Sequence, residues 1–591
     1  MIKTLLKSVR EYKKPSILCP IVMVGEAVME IIIPFLMTFI VGELEVLADV
    51  HNTSASVDIG KIALFSSLMI VCAFLALFFG VWGARLAAKA SCGFAHNLRE
   101  DMYNNLQTYS FANIDNFSTA SLITRITTDV NNVQNAYQMC IRMLVRAPVL
   151  FISAIIMTVI IEPIMAGIFG AAAILLGIVV SFCMIRVLPH FRTMFKRYDD
   201  LNSVVQEDLT AIRVVKSYVR EDREISKMNK ASGEVYKYSV KAERILTIMM
   251  PCVTLTMFIV NIFILTLGSN MTVGNISGNV SPSKLQTLIQ YSAQILSGVM
   301  MVAMSLNFIS LSKGSADRIC EVLDEKTTLP KPANPVFEVK DGSVDFSGVS
   351  FAYMQKAEAK VLKNINLHIS SGETVGIIGA TGSGKTSLVS LIPRLYDVSD
   401  GSVEVGGIDV RNYNMDTLRN SVAMVLQKNV LFSGSVAENL RWGDENASEE
   451  DLRLAARQAC AEEFIDALPG GFDYDLGQGG VNVSGGQKQR LCIARAMLKK
   501  PKVIIFDDST SAVDTKTDAS IRAALKKYAP ETTKIIIAQR VASIQDADKI
   551  IVLDEGAIVG IGTHSELLKD NEIYRDVYES QIKSSGDEEV G

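Results

Sequence analysis

The stretch Gly379-Ala380-Thr381-Gly382-Ser383-Gly384-Lys385-Thr386 decides how the second half of this chain is built. An apolar run, Val375-Gly376-Ile377-Ile378, precedes it, and a helix-like run, Ser387-Leu388-Val389-Ser390-Leu391-Ile392, follows. Strand, glycine loop and helix in that order make a phosphate cradle, because glycines let backbone N–H groups close around the oxygens. The helix N-terminus adds partial positive charge. Lys385 is placed to reach the β- and γ-phosphates, and Thr386 to ligate Mg²⁺. Gly379, Thr381, Gly382, Ser383, Gly384 and Ser387 complete the expected nucleoside-triphosphate site.

Composition separates two unlike halves. The 591 residues allow several domains. Mean hydropathy is positive, +0.27, although 20% of residues are charged. The first half supplies the apolar runs and the second reads as soluble. A net charge of −5 gives no reason to expect a nucleic-acid partner. The nine cysteines are scattered with no CxxC pair, so they read as small buried hydrophobes rather than disulfides or zinc ligands. The basic N-terminus leads into an apolar run too long for a signal peptide.

Six stretches are apolar enough to cross a bilayer, which takes about 20 residues: Ile17–Val41, Ile62–Ala84, Met139–Ile161, Met165–Val187, Ile245–Leu267 and Leu285–Leu311. The third and fourth are joined by a tight turn at Glu162-Pro163, and the sixth is the most polar. Lys and Arg set the orientation. Lys3, Lys7, Arg10, Lys13 and Lys14 precede the first span. Arg85, Lys89, Arg99 and Arg125 lie between spans two and three. Arg192, Lys196, Arg197, Arg213, Lys216, Arg220 and Arg223 lie between spans four and five. The loop after span one carries Glu43, Glu45, Asp49 and Asp58, and Gly268–Ser283 carries no charge. Both termini are therefore expected in the cytoplasm. The long cytoplasmic connections keep helical periodicity, so spans two to five are expected to continue as helices beyond the membrane. The alternative is that the connections fold as small separate domains.

Residues 1–312 thus read as an α-helical transmembrane domain and 313–338 as a linker, with Pro330, Pro332 and Pro335 in its polar core Lys326–Pro335. Residues 339–580 read as an α/β nucleotide-binding domain and 581–591 as a polar tail. Val344–Phe351, Lys502–Phe506, Lys534–Ala538 and Lys549–Leu553 read as strands of that domain.

Further along, Gln427 follows Val425-Leu426. Then come Asn482-Val483-Ser484-Gly485-Gly486-Gln487-Lys488-Gln489-Arg490, the strand ending at Asp507-Asp508, and Ser511-Ala512-Val513-Asp514. This order closely resembles the ATP-binding-cassette (ABC) superfamily, as an exporter-type half-transporter: a six-span transmembrane domain fused to one P-loop nucleotide-binding domain. The resemblance covers nearly the whole chain. It implies that Tyr353 stacks on adenine, that Asp507 holds Mg²⁺, and that Gln427 touches Mg²⁺ and the attacking water while facing the membrane helices. Asp514 matches a loop that crosses between two such domains. Phe111, Asp115 and Phe117, and the stretch Glu207–Lys216, resemble the coupling elements that dock on nucleotide-binding domains. Ser484, Gly485, Gly486 and Gln487 form the signature. Its helix N-terminus suits a γ-phosphate, which in this family belongs to ATP held by the opposite domain. One such domain per chain implies a dimer.

Two positions depart from the family. Its general base is a glutamate, where this chain has Asp508. Aspartate is one methylene shorter, and a misplacement of about an ångström can cost roughly 10²-fold in rate. Its switch histidine is replaced by Gln539, which can hydrogen-bond a phosphate but cannot carry a proton or a charge. A weakened catalytic half beside an intact signature suits the degenerate-site subunit of a heterodimer. ATP and Mg²⁺ are the expected cofactors. A second, non-identical half-transporter is the expected partner, with an altered signature of its own.

The cargo is less legible. Glu26 and Glu30 share one face of the first span. They would attract a cationic substrate, or else pair with Arg142 or Arg146. Met300, Met301, Met304, Met249 and Met250 would form a pliable wall or simply pack, and Gln286, Gln290, Asn307 and Asn261 add polar points. The leading expectation is export of hydrophobic or cationic amphiphiles, drug-like or lipid-like, by alternating access. The alternatives are a siderophore-type importer on the same fold and a non-transporting regulatory ATP-binding membrane protein. The expected location is a bacterial plasma membrane.

Overall fold

The computed structural model describes residues 1–48, 58–273, 280–353, 360–508 and 515–586. Asp514 and the side chains of Met249, Met250 and Asn307 lie outside the described residues. The chain forms two compact units: Met1–Gln107 with Thr119–Glu325, and Thr108–Ser118 with Lys326–Gly591.

The first unit is helical. A short α1 (Ile2–Lys7) leads into α2 (Lys13–Ala48) and α3 (Ile59–Gln107). After α4 (Phe111–Asn116), which belongs to the second unit, come α5 (Thr119–Thr124), a π-helical turn at Arg125–Asp129 and α6 (Val130–Ile161). Then follow α7 (Pro163–Thr210), α8 (Ile212–Ser217), α9 (Glu221–Thr272) and α10 (Pro282–Asp324). Among the described residues, six helices are long and apolar enough to cross a membrane. Helices α3, α7, α9 and α10 have 49, 48, 52 and 43 residues. At 1.5 Å per residue they are roughly 65–78 Å long, more than twice the ~30 Å hydrocarbon core, so they extend well past it.

Charge is managed inside this bundle. Arg146 on α6 meets both carboxylates of α2, Glu26 at 3.5 Å and Glu30 at 2.7 Å. Both groups therefore share one arginine, which leaves the pair with one more negative charge than positive. Beyond the span, Arg318 on α10 donates two hydrogen bonds to the buried carboxylate of Asp129. Arg125 donates to Glu321 at 2.8 Å from the same π-helical turn. Asn261 is occupied by the Ser292 hydroxyl at 2.8 Å.

Residues 313–324, read as linker, are the end of α10. Ala316, Ile319, Cys320 and Val322 are buried with Leu5, Val9, Phe94 and Leu98, which gives the helix a packing reason to continue. The following Lys326–Pro335 stretch is not free either: Leu329 is buried, and the Pro330 carbonyl accepts from Arg394.

The second unit is an α/β fold with two sheets. The strands are β1 (Val344–Phe351), β2 (Leu362–Ile369), β3 (Thr374–Ile378), β4 (Asp400–Val405), β5 (Ile408–Asp409), β6 (Val422–Val425), β7 (Val503–Asp507), β8 (Thr533–Ile537), β9 (Lys549–Asp554) and β10 (Ala557–Gly562). A four-stranded antiparallel sheet has the order β2-β1-β4-β5. The larger sheet runs β10-β9-β3-β8-β7-β6, parallel except at β10. β7 and β8 are buried along their whole length, and β3 at all but its first residue, as expected of parallel strands covered on both faces.

Candidate nucleotide-binding site

The parallel register assembles the site. Ile377 pairs with Ile537, and Ile537 with Asp507, so β3, β8 and β7 end at one edge. The residues that follow each strand meet there, outside the carboxyl ends of the strands, where open α/β sheets bind ligands. The glycine loop leaves β3 and enters α11 (Lys385–Ser390), capped by Gly384 in a left-handed conformation at φ +97°. A side chain at Gly379 would come within 2.0 Å of the Leu553 carbonyl oxygen, so the loop can lie this close to β9 only as glycine.

A cleft of about 510 Å³ is lined by Tyr353, Gly379–Gly382, Gly384–Ser387, Gln427, Asp507, Asp508 and Gln539, while Ser383 is buried behind it. Lys385 Nζ donates to the carbonyls of Gly379 and Ala380, both at 2.8 Å. Burial pushes the lysine pKa down, against the charges of Asp508 and Asp507. Thr386 Oγ1 donates to Asp507 Oδ1 at 2.9 Å. Burial pushes the Asp507 pKa up, opposed by that hydrogen bond and reinforced by the charge of Asp508. The Tyr353 hydroxyl is 2.8 Å from Ser387 Oγ.

Asp508 is the centre of a polar contact. Gln539 Nε2 donates to its Oδ2 at 2.6 Å, and Gln427 Nε2 lies 3.4 Å from the same oxygen. The backbone of Asp508 is left-handed, at φ +47°. The two departures noted in the sequence are thus direct partners.

The signature lies elsewhere. Ser484 caps the helix Gly485–Leu498 through a capping box: its Oγ accepts from the Gln487 N–H at 3.3 Å, while its own N–H donates to Gln487 Oε1 at 2.8 Å. Ser484 and Gly485 are exposed, and none of Ser484–Gln487 lines the cleft.

Two residues that the sequence did not single out touch residues of the site. Tyr396 donates from its hydroxyl to Asp115 Oδ2 at 2.7 Å and packs on Phe111, with ring centres 6.1 Å apart. It also meets the Tyr353 ring edge-on at 5.2 Å. Gln581, assigned to the polar tail, lies in the helix Glu572–Gly586. It donates to the Gln539 carbonyl at 2.7 Å and accepts from the Val541 N–H at 2.9 Å. By contrast, Glu207–Lys216 is exposed around α8, closed by Lys227–Glu207 and Lys216–Glu221 ion pairs.

Comparison with known proteins agrees with this architecture. Residues 16–300 match the ABC transporter transmembrane region and residues 362–511 the ABC transporter domain. The chain is 34% identical to the ABC transporter ATP-binding protein YfiB of Bacillus subtilis over 532 residues, 90% of this chain and 91% of that one. It is 31% identical to a Staphylococcus aureus protein named as a multidrug export ATP-binding/permease protein, covering 84% of this chain and 85% of that one. The fold of a bacterial Atm1-family ABC exporter solved with ATP bound superposes with a TM-score of 0.81. That match covers 97% of this chain and 99% of that one at 23% identity. The chain belongs to the ABC transporter family. It is a multi-pass membrane protein in which six apolar helices are fused to an ABC nucleotide-binding domain.

Proposed function

We propose that this chain is the degenerate-site subunit of a heterodimeric ABC exporter that moves amphipathic compounds outward across a bacterial plasma membrane. Both termini would lie in the cytoplasm, and residues 339–580 would act as the nucleotide-binding domain. The observation that carries the reading is the Asp508–Gln539 contact of 2.6 Å. A short acid held by a neutral amide supplies neither the reach nor the proton handling that water activation needs.

In this reading ATP binds through the Gly379–Gly384 backbone, Lys385, Thr386 and Ser387, with adenine against Tyr353. The residues fit Mg²⁺: Thr386, Asp507 and Gln427 offer hard oxygen donors, and the buried Asp507 carboxyl would gain a compensating charge. The ion would neutralise charge on the phosphates. ATP at this site closes the pair of domains. The exposed Ser484–Gln487 helix end completes the partner's competent site. Closure is passed to the spans through α4, which Tyr396 ties to the nucleotide side, and through α8.

ATP-driven efflux tests this reading. Sealed inside-out vesicles carrying this chain and its partner should accumulate an amphipathic dye in an ATP-dependent, vanadate-sensitive way. An Asp508→Asn variant should retain most of that flux. Vesicles that hydrolyse ATP yet show no vectorial flux would defeat the transport reading.

A further inference from the structure

Arg146 bridges Glu26 and Glu30 on α2, one guanidinium against two carboxylates. Arg142 lies one turn earlier on α6. It makes no ion pair or hydrogen bond among the described residues, and its Nε is shielded from solvent without a partner. Arg142 is the fourth residue of the span Met139–Ile161, so its charge stands at the cytoplasmic end of the apolar stretch, at the level where an amphiphile's head group would lie.

Register explains why no described residue of the bundle pairs with it. At its level α2 offers Cys19, whose Sγ is 3.6 Å from the carbonyls of Ile141 and of Gly83 on α3. Helix α10 runs the opposite way along α6: Gly298 lies against Ala147, Ser315 meets Asn132 and Arg318 meets Asp129. That progression brings Ser305 to the level of Arg142, within a turn of Met301 and Met304. Ser305 spends its hydroxyl on the Met301 carbonyl. Among the described residues, no acid forms an ion pair with Arg142, and the residues at its level on α10 include Met301 and Met304.

The same neighbourhood is under-satisfied. Arg146 Nε, Gln294 Oε1 and Glu26 Oε2 are buried without hydrogen-bond partners among the described residues. Gln294 gives its Nε2 to the Glu30 carbonyl at 3.3 Å. That carbonyl is the one left without its helix donor by Pro34 four residues on. Buried polar atoms left unpaired call for a physical reason.

We propose that Arg142 is the head-group site for an amphipathic monoanion, a carboxylate or phosphate monoester on an apolar tail that lies along Met301 and Met304. This names the substrate class of the transport reading and rests on it. Arginine suits such heads through charge-assisted hydrogen bonds, and methionine adapts to varied tails. The charge preference is opposite to the one Glu26 and Glu30 suggest in isolation.

Binding of labelled dodecanoate, dodecyl phosphate and dodecyltrimethylammonium to the full-length chain in zwitterionic nanodiscs tests this, with empty discs subtracted and no ATP present. The anions should bind saturably and more tightly than the matched cation. Arg142→Gln should weaken them by about tenfold, the scale of one charge-assisted contact, and Arg142→Lys should retain most of the affinity. Glu30→Gln should tighten anion binding by releasing Arg146, a gain that misfolding cannot mimic. Stronger binding of dodecanoate assigns the site to acids, and stronger binding of dodecyl phosphate assigns it to phosphoesters. Anion binding that is insensitive to Arg142→Gln, or equal affinity for the cation, overturns the proposal. Because the readout needs no turnover, loss of ATP-driven flux with intact Arg142-dependent binding would defeat only the transport reading.

Discussion

Asp508 and Gln539 act as one unit at the end of β7 and β8. The Gln539 amide holds a carboxylate oxygen of Asp508, so in the proposed degenerate site a change at either residue alone would leave the other half of the contact in place. Asp508→Glu by itself should therefore raise the turnover of this chain's own site only slightly. Asp508→Glu combined with Gln539→His should raise it by about 10²-fold, measured as Mg-ATPase in lipid. Asp507 beside it carries a second prediction. Burial raises its pKa above that of an unfolded aspartate. The folded state thus favours the neutral acid, and this contribution to stability is lost as pH rises through the raised pKa. Mg²⁺ binds the ionised form and should offset that loss. Thermal unfolding should show a Mg²⁺-dependent gain in Tm above that pKa and none well below it. Asp507→Asn should remove the difference.

At the scale of elements, two fastenings stand out. Tyr396 holds α4 to the nucleotide-binding fold through Asp115 and Phe111, and the same ring touches Tyr353. Tyr396→Phe removes one hydrogen bond to a partly exposed acid, worth about 1 kcal/mol. It should speed amide exchange over Thr108–Ser118 about fivefold while leaving ATP affinity nearly unchanged. The second fastening is Arg318 with Asp129, where the acid is buried and the arginine half-exposed. Arg318→Met leaves a buried carboxylate unpaired and should cost about 2 kcal/mol of stability, read by denaturant unfolding. Elements of this kind differ in how far the sequence reveals them. The glycine loop, the apolar strands and the six spans are local patterns, so they could be read directly. The contact of Asp115 with Tyr396 joins residues 281 apart and follows no local pattern. The same holds for Gln581 at Gln539, separated by 42 residues. Hydropathy marked Glu26 and Glu30 as unusual but could not choose between a free face and Arg146. That choice depends on helix register, and register is a property of packing. Residues 313–324 continue α10 instead of forming a linker for a related reason, since their polar side faces out and their apolar side is buried against α1 and α3.

At the scale of the whole molecule, the P-loop cleft and the signature are separate surfaces of one domain. The cleft gathers Lys385, Thr386, Asp507, Asp508 and Gln539, while Ser484–Gln487 presents an exposed helix end. In the proposed heterodimer a second domain would finish each site, and the partner would supply the competent one. Mg-ATPase activity of the purified chain in lipid, alone and with its partner, tests this most directly. Negligible turnover alone and strong turnover together, surviving Asp508→Asn here and vanishing when the partner's glutamate is removed, is the predicted result. Vigorous turnover by this chain alone, abolished by Asp508→Asn, would contradict the account and make Asp508 a working base in a homodimer.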